Sequence, residues 1–400
     1  MTWGKALTLW TDDVEQSMAY GQVLNDMYAL DGRDPSSVVG VQWCHGLFDR
    51  PFHPPAPILG LVRQRDARTH MSRIDMDRYR AFTDQPASST EHPIVVIGAG
   101  LAGATAARLL ADHGFDVVVL DKGRRVGGRC SRRRLDEVVI THGSARLDNW
   151  PTWMTAWSEL EEAEQRIHID NDGHRLLDGP ETVAAWLEGL DVLTSTTVTR
   201  LEQDGDVWSV YDDEGHVWQA SGVVVTAPLP QLHRMMADAP EAWAHHPYEP
   251  TWTVVLAHTE AAPNELAEAL NGRGMLTQSA ENGRGLVVHL PHDWSKEHLE
   301  MERADVLQTF LETVSDLDGV QVSWLTSASG QAHRWRYGRS VALGASANLP
   351  RLVEAGDAWA EPAGTGGAAL RSGAWAAANI AWQCSHHLQP KAASVQQTLF

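Results

Sequence analysis

Residues 94–121, IVVIGAGLAGATAARLLADHGFDVVVLD, constrain this chain more than any other stretch. Ile94–Ile97 is a short apolar, β-branched run, and Gly98-Ala99-Gly100-Leu101-Ala102-Gly103 fits G-x-G-x-x-G. The residues that follow have helical composition, and a second strand ends in Asp121. Strand, glycine turn, helix and terminal acid together predict a βαβ unit for a dinucleotide. Gly98 permits the tight turn, Gly100 lets a pyrophosphate approach the backbone, and Gly103 lets helix and strand pack closely. The helix start presents free N–H groups to phosphate. Asp121 stands where a carboxylate accepts hydrogen bonds from a ribose.

A second glycine pair narrows the choice of dinucleotide. Gly127-Gly128-Arg129 lies in DKGRRVGGRCSRRR, shortly after Asp121. A nicotinamide domain has no need of it, whereas a flavin domain has the chain pass over the pyrophosphate again here. Arg129 suits a phosphate or the flavin surroundings; Arg132, Arg133 and Arg134 read equally as a solvated basic turn. Late in the chain, the strand-like run Val341–Ala345 precedes Gly356-Asp357 and EPAGTGGAALRSGAWAAANIAW. The small residues from Gly364 to Ala378 suit a helix lying against a cofactor, or a tightly packed helix without one.

Together these blocks, with THGSARL at 141–147, VVVTAPLPQL at 223–232 and HRWRYG at 333–338, resemble the renalase-like branch of the FAD-dependent amine oxidase superfamily. The resemblance runs from residue 92 to about 383. It implies an α/β fold: a Rossmann-like FAD-binding domain of the glutathione-reductase and amine-oxidase type, with a second substrate domain built on a mixed β-sheet with helices. It implies non-covalent FAD held by Gly98, Ala99, Gly100, Leu101, Ala102, Gly103, Asp121, Lys122, Gly128 and Arg129. By the same resemblance the backbone of Val198 would meet the adenine, Gly356 and Asp357 the ribityl-phosphate part, and Leu370 to Gly373 the flavin edge. Where the family has A-Q-Y-F after the His-Gly pair, this chain has Ser144-Ala145-Arg146-Leu147.

The flavin would perform the redox step while the protein binds and orients it. His142 and Tyr337 are the candidate catalytic groups, with His333 beside them; each reads equally as a satisfied structural residue. Trp150, Trp153, Trp157 and Trp335 are the tryptophans placed to stack on substrate or flavin, although any one of them reads first as core. The lysines are Lys5, Lys122, Lys296 and Lys391, none placed where classical amine oxidases keep one beside the flavin. Cys384 lies beyond the ALRSG segment, so a covalent flavin link is not expected. No His, Cys or acidic set has metal spacing, Asp112-His113 and His386-His387 included; His113, His245 and His246 read as surface.

The expected organisation is an extension at 1–90, an FAD domain from 91–150, 190–230 and 335–385, a substrate domain from 151–189 and 231–334, and a tail at 386–400. The extension contains VVGVQWCHGLFDRP, which resembles the last strand and loop of (β/α)8 glycosidases; one helix and one strand cannot build a barrel, and Trp43, Cys44, His45 and Asp49 read as packing. Hairpin turns are expected at Asp204-Gly205 and Glu214-Gly215, a helix at 152–167, strands in PTWTVVLAHTE, GLVVHLPHDW and VQVSWLTSAS, and an amphipathic helix in LEMERADVLQTFLETVSDL.

A net charge of −20 argues against nucleic acid and anionic membranes as partners. No apolar run reaches the ~18 residues of a membrane span. The start of the sequence lacks signal-peptide character, and Cys44, Cys130 and Cys384 suit a reducing cytoplasm. Composition leaves the oligomeric state open. The expected activity is oxidation of a small electron-rich substrate, such as an isomeric dihydronicotinamide dinucleotide, by hydride transfer to flavin N5 with oxygen as acceptor. An amine or polyamine oxidase, and a flavin-binding protein without turnover, are the competing readings.

Overall fold

The computed structural model describes residues 90–385, apart from 113, 144–145, 148–166, 170–174, 178–179, 280–282, 316–321, 348 and 361. The expected extension at 1–90 (save residue 90), Trp150, Trp153, Trp157, most of the helix at 152–167 and the tail lie outside these residues, as do Ser144, Ala145, Lys5, Lys391, His113, His386 and His387.

The first βαβ unit forms as its sequence requires: β1 (Ile94–Ile97), α1 (Leu101–Asp112) and β2 (Val117–Asp121). A hairpin of β3 (Arg132–Leu135) and β4 (Val138–Thr141) follows, then the short strands β5 (Arg146–Leu147), β6 (Ile167–Ile169) and β7 (Arg175–Leu177). Helix α2 (Pro180–Trp186) leads to β8 (Asp191–Thr194), β9 (Val198–Asp204), β10 (Val207–Asp212), β11 (Val217–Ala220) and β12 (Gly222–Val225). Short helices α3 (Leu229–His233) and α4 (Glu241–Ala244) precede β13 (Tyr248–Ala257), α5 (Asn264–Gly272), β14 (Leu276–Ser279) and β15 (Gly285–His289). The chain then runs through α6 (His292–Glu297), α7 (Arg303–Ser315), α8 (Val322–Ser327), β16 (Ser329–Ser340), β17 (Leu352–Glu354) and α9 (Gly366–Ser385).

Five strands form one parallel sheet in the order β17-β12-β1-β2-β8. Counted along the chain this is 5-4-1-2-3, the doubly wound arrangement whose ligands bind beyond the carboxyl ends of the strands, where the order reverses. Both faces are covered, so the strands are continuous apolar runs rather than alternating ones. Ile94, Val96, Val117, Val119, Val224 and Val353 face α1, α2 and α9. Val95, Ile97, Leu120, Val223, Val225 and Leu352 face the meander β9-β10-β11, which supplies Leu201, Trp208 and Val210. The meander turns fall at Gly205 and Gly215, both with positive φ.

The second sheet is β14-β15-β13-β16, antiparallel throughout. Trp252, Val254, Leu256, Leu286, Val288 and Ala332 pack on α5 and α7. The opposite face carries Val255, Ala257 and Val287 against Leu135, Val138 and Ile140 of the β3-β4 hairpin. That hairpin thus leaves the nucleotide unit and docks on the second sheet.

Four expectations are corrected. VQVSWLTSAS contains helix α8, in which Trp324 and Leu325 are buried and Trp324 Nε1 donates to the Glu260 carbonyl, 3.1 Å. The fourth strand of the second sheet is instead β16, which carries HRWRYG and continues past residue 335 to Ser340, opposite Tyr248. Val341–Ala345 is not a strand: Ser340 Oγ donates to the Ala342 carbonyl and closes a bend, 2.7 Å, and β17 takes the edge position beside β12. His246 is half-buried rather than at the surface, with its Nε2 2.7 Å from Ser340 Oγ.

Helices α1 and α9 touch at backbone distance. A Cβ on Gly373 would stand 2.3 Å from the Ala102 carbonyl oxygen. Gly373→Val is expected to cost about 2–3 kcal/mol through overpacking, read as a lowered midpoint in urea unfolding; an unchanged midpoint would mean that the helices separate freely.

Candidate active site

Each glycine of the first turn is explained by a neighbour. Gly98 has φ +107°, and a Cβ there would collide with Thr226 Oγ1 at 2.2 Å. A Cβ on Gly103 would lie 1.8 Å from the Gly98 carbonyl oxygen, so α1 starts directly on the turn. Thr226 directly follows β12, the strand beside β1, and its hydroxyl donates to the Ile97 carbonyl, 2.9 Å. The sequence reading overlooked Thr226, although its place at the end of GVVVT, a buried run, marks the reversal point of the sheet.

The second glycine pair comes back to the first. Gly127 N–H donates to the Ala99 carbonyl, 2.8 Å, and a Cβ on Gly128 would stand 3.2 Å from Gly100 Cα. Two backbones therefore meet without side chains at the carboxyl end of β1. The Asp121 carboxylate braces the same place: one oxygen accepts from Ala99 N–H at 2.5 Å, the other from Gly123 N–H at 2.6 Å. The backbone N–H of Thr196, two residues before Val198, donates to the Asp121 carbonyl, 2.9 Å. Val198 itself is buried in the core beneath the meander. Lys122 donates to Gln231 Oε1 at 2.7 Å, and burial lowers its pKa against the opposing charge of Asp121.

Gly356-Asp357 follows β17 at the same end of the sheet. Gly356 has φ +139°, its N–H donates to Ser372 Oγ at 2.9 Å, and that hydroxyl donates back to the Gly356 carbonyl, 2.8 Å. Asp357 is 4% exposed and pairs with Arg129 in a two-pronged contact at 2.8 and 2.7 Å. Arg129 also donates to the Gly338 carbonyl, 3.0 Å, and Ser340 N–H donates to Asp357 at 2.8 Å. Burial by itself would raise the Asp357 carboxyl, but the charge and hydrogen bonds of Arg129 outweigh it and hold the group below the usual carboxylate range. Leu370 and Gly373 are placed on the packed face of α9, Leu370 fully buried and Gly373 against Ala102.

His142 lies where the two sheets meet. A Cβ on its neighbour Gly143 would be 1.9 Å from the Arg129 carbonyl oxygen and 3.2 Å from the Trp335 ring. The His142 ring stands edge-to-face on His333 at 4.8 Å between centroids, with Trp335 at 5.5 Å. His142 is 2% exposed, and among the described residues its buried Nδ1 has no partner, nor has the buried Trp335 Nε1. Unpaired buried polar atoms are costly and call for a ligand. Register places His289, Thr253 and His333 in one row across β15, β13 and β16, and His289 Nδ1 lies 2.9 Å from Thr253 Oγ1.

Burial, then the charges of His333 and Arg133, push His142 down to about 3. Burial likewise takes His289 and His333 to about 4. All three rings are thus neutral near pH 7. Tyr337, the other catalytic candidate, stands apart from this row, packed on Tyr248 at 5.2 Å. Tyr248 OH accepts from Leu229 N–H at 3.3 Å, and burial raises its pKa. Among the described residues no three His, Cys, Asp or Glu could hold a metal, and no helix is long and apolar enough to cross a membrane.

Comparison with known proteins agrees with this geometry. Residues 96–160 match the NAD(P)-binding Rossmann-like domain and residues 165–381 the flavin containing amine oxidoreductase family, to which this chain belongs. A deoxyribodipyrimidine photo-lyase of Methanothermobacter thermautotrophicus is 39% identical over 89 residues, 21% of this chain and 20% of that protein. A phytoene desaturase of Cercospora nicotianae is 26% identical over 186 residues, 42% and 28% of the two chains. A pseudooxynicotine dehydrogenase of a Pseudomonas species is 31% identical over 131 residues, 32% and 24%. The chain spans 20–28% of the length of these relatives. A triple mutant of putrescine oxidase shares the fold, with a TM-score of 0.56 at 14% identity over 72% of this chain and 98% of the other.

FAD, the cofactor of this family, suits the residues present. A Cβ on Gly100 would occupy open space beside Gly128, where bare backbone can approach a pyrophosphate, and the buried His142 Nδ1 and Trp335 Nε1 have no partner among the described residues.

Two outcomes are expected. Asp357→Ala leaves Arg129 unpaired and costs about 3 kcal/mol, the lower end for breaking a buried ion pair because Arg129 is partly exposed; urea unfolding measures it, and a loss below ~1 kcal/mol would show the pair to be dispensable. The histidine row binds fewer protons folded than unfolded, since its pKa values lie below the ordinary ~6.5. Stability therefore falls as pH drops from about 6.5 towards 4. A His142→Gln/His333→Gln double variant should flatten that slope, and an equally steep one would contradict the neutral-ring assignment.

Proposed function

We propose that this protein is an FAD-dependent oxidoreductase of renalase-like type, oxidising a small electron-rich substrate such as an isomeric dihydronicotinamide dinucleotide, with oxygen as acceptor. The observation that carries this reading is the position of His142 and Trp335. Gly143 sets them between the Arg129 backbone of the nucleotide cradle and the second sheet, with Nδ1 and Nε1 buried and without a partner among the described residues. A substrate lying there touches both parts of the molecule.

FAD, when bound, would supply two-electron chemistry, accepting a hydride from the substrate and returning the two electrons, with two protons, to oxygen as hydrogen peroxide. The protein's own groups do the rest. The first-turn glycines and α1 take the pyrophosphate through backbone N–H groups, and Asp121 takes the ribose. Asp357 and Arg129 fix the end of β17 against the turn after β2. His142 and Trp335 are neutral hydrogen-bonding groups that orient the substrate and exclude water without adding charge. No step of this scheme needs a protein nucleophile.

An amine or polyamine substrate is the second reading, favoured by the family match over 165–381. Against it, Lys122 is engaged by Gln231 and Lys296 is exposed on α6, so neither described lysine stands at the junction. The test is anaerobic mixing of the FAD-loaded protein with 6-dihydro-NAD(P), watched at the flavin absorbance band. Bleaching is expected, and reoxidation in air should release hydrogen peroxide. Full retention of absorbance with the dihydronicotinamides, together with bleaching by putrescine or another amine, would transfer the assignment to amine oxidation.

A further inference from the structure

The β3-β4 hairpin is fastened to alternate residues of β16. Ser329 Oγ donates to the Asp136 carboxylate, Arg133 Nη1 donates to Gln331 Oε1 at 2.6 Å, and Arg133 Nη2 lies 3.3 Å from His333 Nδ1. Gly143, just beyond the hairpin, meets the Trp335 ring. Residues 329, 331, 333 and 335 share one face of the strand because side chains alternate, and Ala332 faces the other way, into the core under α5 and α7. Leu135, Val138 and Ile140 hold the hairpin down on Val255, Ala257 and Val287. The packing of the hairpin therefore delivers Arg133 to His333, and its second prong on Gln331 keeps it there.

That contact decides which nitrogen of His333 carries the proton. A guanidinium donates and never accepts, so Nδ1 is the acceptor and the proton of the neutral ring sits on Nε2. Burial first, then the Arg133 charge, keep the ring neutral near pH 7. The polar groups beside the ring are engaged elsewhere. Thr253, opposite His333 on β13, has its hydroxyl 2.9 Å from His289 Nδ1. His142, edge-on at 4.8 Å between centroids, has its Nε2 3.4 Å from Ser131 Oγ and makes no hydrogen bond to His333. His333 is half-buried, and its Nε2 has no partner among the described residues.

We propose that Arg133 is a positioning residue that makes His333 a fixed N–H donor, and that His333 Nε2 binds the carbonyl oxygen of an uncharged amide or ketone group on the substrate. Trp335, 4.3 Å from His333 between ring centroids, flanks that group, and its indole nitrogen also only donates. A site edged by donors suits an acceptor oxygen, whereas a protonated amine brings donors alone and finds no partner there. Without Arg133 a neutral imidazole exchanges between its two forms, and a donor present for part of the time binds an acceptor correspondingly more weakly. The inference rests on the proposed site between the two sheets and adds the functional group it recognises.

Magnetic resonance spectra that correlate ring protons with ring nitrogens, recorded on histidine-labelled, FAD-loaded protein, read the proton position directly. The signal lost in His333→Gln should show a protonated Nε2 and a bare Nδ1. Arg133→Met should shift it towards a mixture of the two forms, and Arg133→Lys, which still donates, should restore it. A wild-type His333 with its proton on Nδ1, or with both nitrogens protonated, would overturn the proposal even where a variant fails to fold, as would a signal indifferent to Arg133→Met. Calorimetric titration then compares nicotinamide with the ethylpyridine that carries an ethyl group in place of the carboxamide, and with putrescine. Nicotinamide should bind about threefold to tenfold tighter than the ethylpyridine, the effect of one uncharged hydrogen bond. Arg133→Met should remove the difference and Arg133→Lys should keep it. No preference in the wild type, or tighter binding of putrescine, would overturn the carbonyl assignment. A protonated Nε2 and a carbonyl preference without flavin bleaching by dihydronicotinamides would keep the donor and reject the activity; bleaching with the proton on Nδ1 would do the reverse.

Discussion

The paired contact between Arg129 and Asp357 holds the nucleotide side of this molecule together. The two residues are 228 positions apart. Arg129 follows the glycine pair that lies over the first turn, and Asp357 follows the outermost strand of the parallel sheet. Their bond, with Ser340 N–H and the Gly338 carbonyl added, joins the turn after β2, the end of β17 and the end of β16 at one point. A bidentate guanidinium–carboxylate contact fixes orientation as well as distance, so the three segments are set relative to one another.

The same economy of position governs the junction of the sheets. The β3-β4 hairpin leaves the nucleotide unit and buries Leu135, Val138 and Ile140 on the second sheet. Its far end then delivers His142 and Gly143 next to Trp335. Apolar packing on one stretch of the hairpin thereby determines where polar, unpaired nitrogens lie on the next. Burial keeps those nitrogens neutral and makes them sensitive to what is brought against them.

Much of the nucleotide cradle was legible in the sequence because its signals are local. A glycine motif between strand and helix, an acid at the second strand end and a glycine pair soon after all read within one short segment. Gly356-Asp357 was legible as a late return, but its partner was not: nothing in a sequence says that an arginine 228 residues away is the counter-charge. Strand assignments failed where composition was ambiguous. VQVSWLTSAS is β-branched and apolar yet forms a helix, since β16 already fills the sheet position beside β13. The expected boundary at residue 335 divides HRWRYG, whereas pairing with β13 carries the whole string along β16 on the second sheet and brings Trp335 to His142. Thr226 escaped notice because a threonine closing a buried strand has no motif of its own.

The fifth strand and the helix packed on α1 are made after every other described element. A polypeptide emerging from the ribosome as far as Ser340 has four strands of the parallel sheet, but it lacks β17, Asp357 and the glycine that lets α9 lie on Ala102. Contacts of such long sequence separation form slowly and leave apolar strand faces uncovered while they wait. The part of the sheet face covered by α9 stays bare until residues 366–385 are made. A ligand that binds only the folded arrangement, with Asp357 against Arg129, shifts the balance towards it, so its supply during synthesis would shorten the life of that exposed intermediate.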